Sequence, residues 1–144
     1  MKTKFTILGF MLLFSIFPCL AEITHQTGDV ICSRTTVHGS DMSVSQQTSV
    51  LCQKNTIYVI GESSCTSTIR ISVTAIAMYG GTCTKEVTET LVIQPASSGF
   101  LTYPISFTEN LGTPASWAFQ FVPVSMPNDA SVSIESYYNT SQTN

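Results

Sequence analysis

Charge is scarce in this chain. Asp, Glu, Lys and Arg together make up 10 % of its 144 residues, with nine acids against six bases. Two of the bases, Lys2 and Lys4, lie at the extreme N-terminus, and the other four, Arg34, Lys54, Arg70 and Lys85, are scattered. Binding to nucleic acid needs a clustered basic face that releases counterions, and this chain has none. Attraction to an anionic membrane surface is disfavoured on the same ground. Histidine is nearly missing too, with two residues, His25 and His38, and tryptophan occurs once, as Trp117. No Gly-rich phosphate loop, Walker motif or HExxH sequence is present. Nothing past residue 21 carries the 3.6-residue apolar period of an amphipathic helix.

A long apolar run occurs only at the start. Lys2 and Lys4 precede Phe5 to Phe17, and Pro18-Cys19-Leu20-Ala21 closes the run with small residues at its third-last and last positions. This is the layout of a secretory signal peptide, with cleavage expected after Ala21. The run is short for a membrane span of about 20 residues. Ile16-Phe17-Pro18 lacks the small residues that lipoprotein processing at Cys19 would need. The expected product is a single domain from Glu22 to Asn144, secreted or periplasmic, with no stable membrane insertion. Loss of Lys2 and Lys4 takes the formal net charge from −3 to −5.

What is abundant is alternation. In Thr68 to Gly81, residues Ile69, Ile71, Val73, Ala75, Ala77 and Tyr79 share one parity, while Arg70, Ser72 and Thr74 share the other. Side chains alternate across a strand, so the first set forms one apolar face. Ile76 and Met78 make the C-terminal half apolar on both faces, which predicts a central strand covered on both sides there. Gly80-Gly81 suits a tight turn. Further strands are expected over Asp29 to His38, Met42 to Cys52, Thr56 to Ile60 (apolar on both faces), Thr84 to Gln94, Leu101 to Phe107, Trp117 to Phe121 and Val132 to Tyr138. Pro104 marks the Leu101–Phe107 strand as an edge or a bulge, because proline cannot donate to a ladder. About eight short strands with turn signals between them predict an all-β, antiparallel β-sandwich, immunoglobulin-like or jelly-roll. The Cys…Trp…Cys order of antibody domains is absent, since Trp117 follows every cysteine. Ile71, Val73, Ala75, Tyr103, Ile105 and Trp117 are the expected core.

Of five cysteines, Cys19 falls in the leader, leaving Cys32, Cys52, Cys65 and Cys83. An even number in a small exported domain reads as two disulfides. Metal binding would want CxxC-type spacing or nearby His, which are absent, so no metal or other cofactor is expected. Strand geometry then restricts the pairing. The strand between Cys65 and Cys83 spans on the order of 33 Å, whereas bonded cysteines need Cα atoms within about 7 Å. That excludes Cys65–Cys83. Cys52–Cys65 is disfavoured because the strand Thr56 to Ile60 lies between them, and if that strand and the central one form a hairpin, Cys52–Cys83 with Cys32–Cys65 are the expected bridges.

Catalytic candidates are thin. His38, Asp41 and Ser40 can be drawn as a triad, but they sit in a turn without an oxyanion hole. His25, Asp29, His38 and Asp41 can be drawn as a metal site, yet turn-rich polar segments contain such residues anyway. The acids Glu62, Glu86, Glu89, Glu109 and Glu135 show no pairing of the kind glycoside hydrolysis needs. Two aromatic positions are candidate contacts: Trp117, if its row with Phe119 and Phe121 were exposed, and Tyr137, whose parity opposes Val132, Ile134 and Tyr138. Asn139-Thr140-Ser141 matches the N-glycosylation sequon.

These readings converge on a non-catalytic exported recognition module for a protein or carbohydrate ligand. The rivals are a structural subunit that assembles by strand pairing, as in pili or coats, and a small secreted enzyme or hydrolase inhibitor. The leader is testable first: intact mass of the exported protein should correspond to a chain beginning at Glu22, and a mass that retains Met1 to Ala21 would overturn this.

Overall fold

The computed structural model describes residues 28–48, 51–62, 66–96, 99–109 and 115–139. Among them are nine strands and no helix: β1 (Asp29–His38), β2 (Val44–Gln47), β3 (Lys54–Glu62), β4 (Ile69–Tyr79), β5 (Thr82–Ala96), β6 (Gly99–Thr102), β7 (Ile105–Thr108), β8 (Ser116–Ser125) and β9 (Ser131–Asn139). They form two antiparallel sheets, ordered β1-β9-β3-β7 and β2-β8-β4-β5-β6, stacked as a β-sandwich. The pairings nest: β4 runs against β5, β3 against β7, β2 against β8 and β1 against β9. The chain is thus a long antiparallel ribbon doubled back at the β4–β5 hairpin.

That hairpin has a local cause. Tyr79 pairs with Thr82 across two glycines, Gly80 with φ 57° and Gly81 with φ 81°. Two successive positive φ values make a type I′ turn, whose twist matches that of the flanking strands. A Cβ at either glycine would meet nothing within 4 Å, so the requirement is conformational and not steric. Gly39 is the opposite case. A Cβ there would lie 1.8 Å from the Pro127 carbonyl oxygen, in the place where the turn after β1 packs on the turn before β9.

The core lies between the sheets. Ile69, Ile71, Val73, Ala75 and Ala77 of β4 are all buried, facing Ile57 and Val59 of β3 and Val132 and Ile134 of β9. Beside them in their own sheet stand Leu91 and Ile93 of β5 and Trp117, Phe119 and Phe121 of β8. Large residues sit next to small ones: Ala77 is opposite Trp117, Ala75 opposite Phe119 and Val73 opposite Phe121. The rings form a row, with centroids 6.3 Å apart from Trp117 to Phe119 and again from Phe119 to Phe121. The small side chains of β4 leave the volume that these rings fill, which is how an interior reaches close packing without strained rotamers.

Several sequence expectations are corrected. Among the described residues of Met42 to Cys52, the strand covers Val44–Gln47, with an isolated bridge from Cys52 to Ala115. Leu101 to Phe107 is two strands in two sheets, β6 on β5 and β7 on β3. The break falls at Tyr103-Pro104, where the missing proline N–H ends the ladder and the chain crosses between sheets. Tyr103, expected in the core, is therefore 74 % exposed, while Ile105 packs partly buried against the core as expected. β4 is the middle strand of its sheet, but its second face is only half-covered, with Ile76 and Met78 half-buried; on the first face, Tyr79 lies beyond the core at the hairpin and is exposed. The single-domain boundary at Glu22 lies outside the described residues.

Truncation on the two faces of β4 should separate sharply. Ile71→Ala removes buried methylenes and leaves a cavity, costing about 2–5 kcal/mol. Thr74→Ala loses an exposed hydroxyl contact with Thr88 (2.9 Å) and should cost well under about 1 kcal/mol. Urea denaturation of the two variants checks this, and equal losses would overturn the face assignment.

Candidate binding site

The two aromatic candidates go to opposite places. Trp117 is buried at 1 % exposure, and its indole N–H donates to the Cys52 carbonyl oxygen at 3.0 Å. Its row is core, so Trp117 offers no platform to a ligand. Tyr137 lies on the outer face of the four-stranded sheet, as its parity predicts, but it is half-buried there. Its ring meets that of Tyr58 edge-on, with centroids 4.9 Å apart.

This outer face is more closed than the sequence indicates. Glu135, which shares the parity of Tyr137 opposite Val132 and Ile134, is 1 % exposed, and Tyr58, directly opposite it across β3 and β9, is 3 % exposed. The Tyr58 hydroxyl donates to Glu135 Oε1 at 2.6 Å, and Arg34 Nε donates to Oε2 at 2.7 Å. A buried carboxylate needs such donors, and the charge of Arg34 offsets part of its desolvation. Burial, then the hydrogen bond and the negative charge of Glu135, push the Tyr58 phenol well above its ordinary range. Burial and the charge of Asp29 raise Tyr137 as well. A tyrosine beside a carboxylate is chemically suggestive, but neither acid is open to a substrate, so this cluster ties β1, β9 and β3 together. The one sequence hint was that Thr56 to Ile60 reads apolar on both faces.

The remaining candidates resolve simply. Asp41 accepts a hydrogen bond from the His38 backbone N–H at 2.7 Å, with its carboxylate 3.5 Å from His38 Nδ1. That is the work of a turn residue closing its own turn. Among the described cysteines, Cys32, Cys52 and Cys83 are not bonded to one another. The expected Cys52–Cys83 bridge conflicts with the strand order. Cys52 bridges to Ala115, the next residue Ser116 pairs with Met78 of β4, and Met78 pairs with Cys83 of β5. Three strand spacings amount to about 14 Å, twice what a disulfide spans. Cys83 is moreover exposed and Cys52 buried. Cys65, and with it the Cys32–Cys65 expectation, lies outside the described residues.

A groove lies on the outer face of the other sheet. It has a volume of about 580 Å³ and is lined by Ser45, Gln46, Gln47, Ile76, Ala118, Phe119 and Gln120. Strand register explains it. Gln47, Ala118 and Ile76 lie side by side on β2, β8 and β4, and Ser45 and Gln120 form the next row. The methyl of Ala118 between two longer neighbours makes the depression. The floor is apolar and the walls are amides and a hydroxyl, with no charged residue in the lining. Gln46 supports the rim by donating to the Arg34 carbonyl oxygen at 3.0 Å, linking the edges of the two sheets. The convergence of these side chains depends on register between segments some 70 residues apart, which local sequence does not show.

Comparison with protein-family models, with curated proteins and with solved structures finds no match to this chain.

The buried tyrosine sets a pH dependence. A phenol whose folded value is raised contributes stability that is complete below its ordinary value of about 10 and is lost as pH climbs from there towards the folded value. Tyr58→Phe should cost about 1–3 kcal/mol near neutrality, since Glu135 loses a donor, and should flatten the alkaline fall in stability. Urea midpoints measured from neutral pH to about pH 11 decide it. An unchanged alkaline slope in the variant would sink the assignment.

Proposed function

We propose that this protein is an exported, non-catalytic recognition module of the jelly-roll type, which binds a neutral glycan through the groove on β2, β8 and β4. The nested strand pairing supports jelly-roll over immunoglobulin-like architecture: the first strands run against the last, with β6 an addition beyond the eight strands of two Greek keys. The leader at Met1–Ala21 and the even cysteine count support export. Fold type alone assigns no activity, so the reading rests on the site.

The observation that carries it is the chemistry of the groove lining. Amide side chains both donate and accept hydrogen bonds, as the hydroxyls of a sugar do. The Ile76 and Ala118 floor suits the apolar C–H face of a ring, and the absence of charge from the lining suits a neutral ligand. An open depression on a sheet fits a surface ligand making several modest contacts better than a small molecule that must be engulfed. A protein partner with a neutral, amide-rich surface is the alternative occupant.

A second reading, assembly by strand pairing, has one observation in its favour. β1 is a ten-residue edge strand with Val30 and Ile31 exposed. Against it, β5 carries Lys85, Glu86 and Glu89 along its length, charges of the kind that discourage edge-to-edge association.

Glycan-array screening followed by NMR titration tests the site. Ala118→Trp fills the depression and should abolish binding while leaving the folded spectrum intact. Gln47→Ala and Gln120→Ala should each weaken binding about 2–10-fold, the value of one net hydrogen bond. Full binding by Ala118→Trp would overturn the groove, and concentration-dependent assembly in size exclusion would favour the strand-pairing reading.

A further inference from the structure

We infer that Cys32 and Cys52 form the disulfide that staples this sandwich, in place of the Cys52–Cys83 pairing that strand lengths alone suggest. Both sulfurs converge on one buried side chain. Asn55 Nδ2 lies 3.7 Å from Cys32 Sγ and 3.8 Å from Cys52 Sγ. The two sulfurs therefore lie within the sum of those distances of each other, and a rotation about Cα–Cβ of either residue moves a sulfur by enough to close much of that gap.

Backbone features on both sides produce the approach. Cys32 is the extra residue of a β-bulge: Ile31 pairs with Tyr137 and Ser33 with Ser136, leaving Cys32 without a partner position on β9. An extra residue bends its strand and re-aims its side chain. Here it reaches Asn55, two strands away on β3, beneath β9. Cys52 comes from the crossover between β2 and β3. It is held there by paired backbone hydrogen bonds with Ala115 (3.0 and 3.1 Å) and by the Trp117 indole. Both residues are thus placed by structure that does not depend on a bond between them.

The surroundings suit a permanent bond over a reactive thiol. Cys52 is 1 % exposed and Asn55 is fully buried. Burial pushes the Cys52 thiol up to about 11, with the neighbouring Cys32 adding to the effect, and burial raises Cys32 too. Thiols so raised are poor nucleophiles near neutrality, which argues against a catalytic pair. Formation breaks two S–H bonds and makes one S–S bond. Two protons are released, and two electrons pass to a disulfide oxidant of the export compartment, which leaves as its dithiol through a mixed disulfide. The bond would join the β1 edge of one sheet to the crossover that leads from the other. Cys83, exposed on the β4–β5 hairpin, would not take part.

The chain offers a direct readout. Trypsin cuts after Arg34, Lys54, Arg70 and Lys85, so Cys32, Cys52, Cys65 and Cys83 fall in four separate peptides. Exported protein is alkylated under denaturing conditions and digested without reduction. The expected product is the peptide ending at Arg34 linked to Thr35–Lys54, with Cys83 alkylated. A link from Thr35–Lys54 to Asn55–Arg70 or to Ile71–Lys85, or alkylation of both Cys32 and Cys52, would overturn the proposal. A second measurement does not depend on variants that may fold poorly: reductant should lower the urea midpoint of the wild-type protein. If the Cys32→Ser/Cys52→Ser double variant folds, reductant should leave its midpoint unchanged, and a remaining shift there would count against the pairing.

Discussion

The fit between the small residues of β4 and the large ones of β8 is the constraint on which the sandwich depends. Ala75 and Ala77, opposite Phe119 and Trp117, leave room for those rings to stack in a row between two sheets about 10 Å apart. A larger side chain at either alanine would push the row towards Phe107 and the face of β3, β7 and β9. Once the row is in place it positions much else. Trp117 fixes the crossover at Cys52 through its indole N–H, and Thr48 accepts and donates at the Trp117 backbone where β2 leaves its sheet. A ligature between sheets is therefore supplied by polar atoms hung on an apolar core.

The two outer faces have been treated differently. On the four-stranded sheet, Tyr58, Tyr137 and Arg34 close around the carboxylate of Glu135, turning what alternation assigns to solvent into a second, polar layer. On the five-stranded sheet, the short side chain of Ala118 between Gln47 and Ile76 leaves the surface hollow. One face is committed to holding strands together; the other is free for contact with something else.

How much of this was legible follows from what alternation can and cannot encode. The inward residues of β4 and the Gly80-Gly81 turn were plain, because both depend on neighbours in sequence. Val132 and Ile134 were equally plain. Alternation does not say which sheet a strand joins, since the inner faces of both sheets look alike. Leu101 to Phe107 consequently read as one strand, although Pro104 carried the signal that its ladder is interrupted. The burial of Glu135 was not legible because nothing local announces Tyr58, 77 residues away, as its donor. Cysteine placement is hard to read for a related reason. Strand length bears on partners at the two ends of one strand, but a bulge at Cys32 is invisible until β9 is placed beside it.

The nested pairing bears on when this protein can fold. Asp29 pairs with Asn139, so the first described strand has its partner in the last. Most of the stabilising contacts join segments far apart in sequence, and such topologies close slowly because the loop entropy must be met before the contacts form. While the chain is still being synthesised, β1 has no β9, β2 has no β8 and β3 has no β7; among the described strands, β4–β5 and β5–β6 are the hairpins that adjacent sequence can form. Most of the sandwich therefore waits for its final strands. For a chain whose first residues are read as an export leader, this order of contacts would hold the sandwich open until the last strand is made.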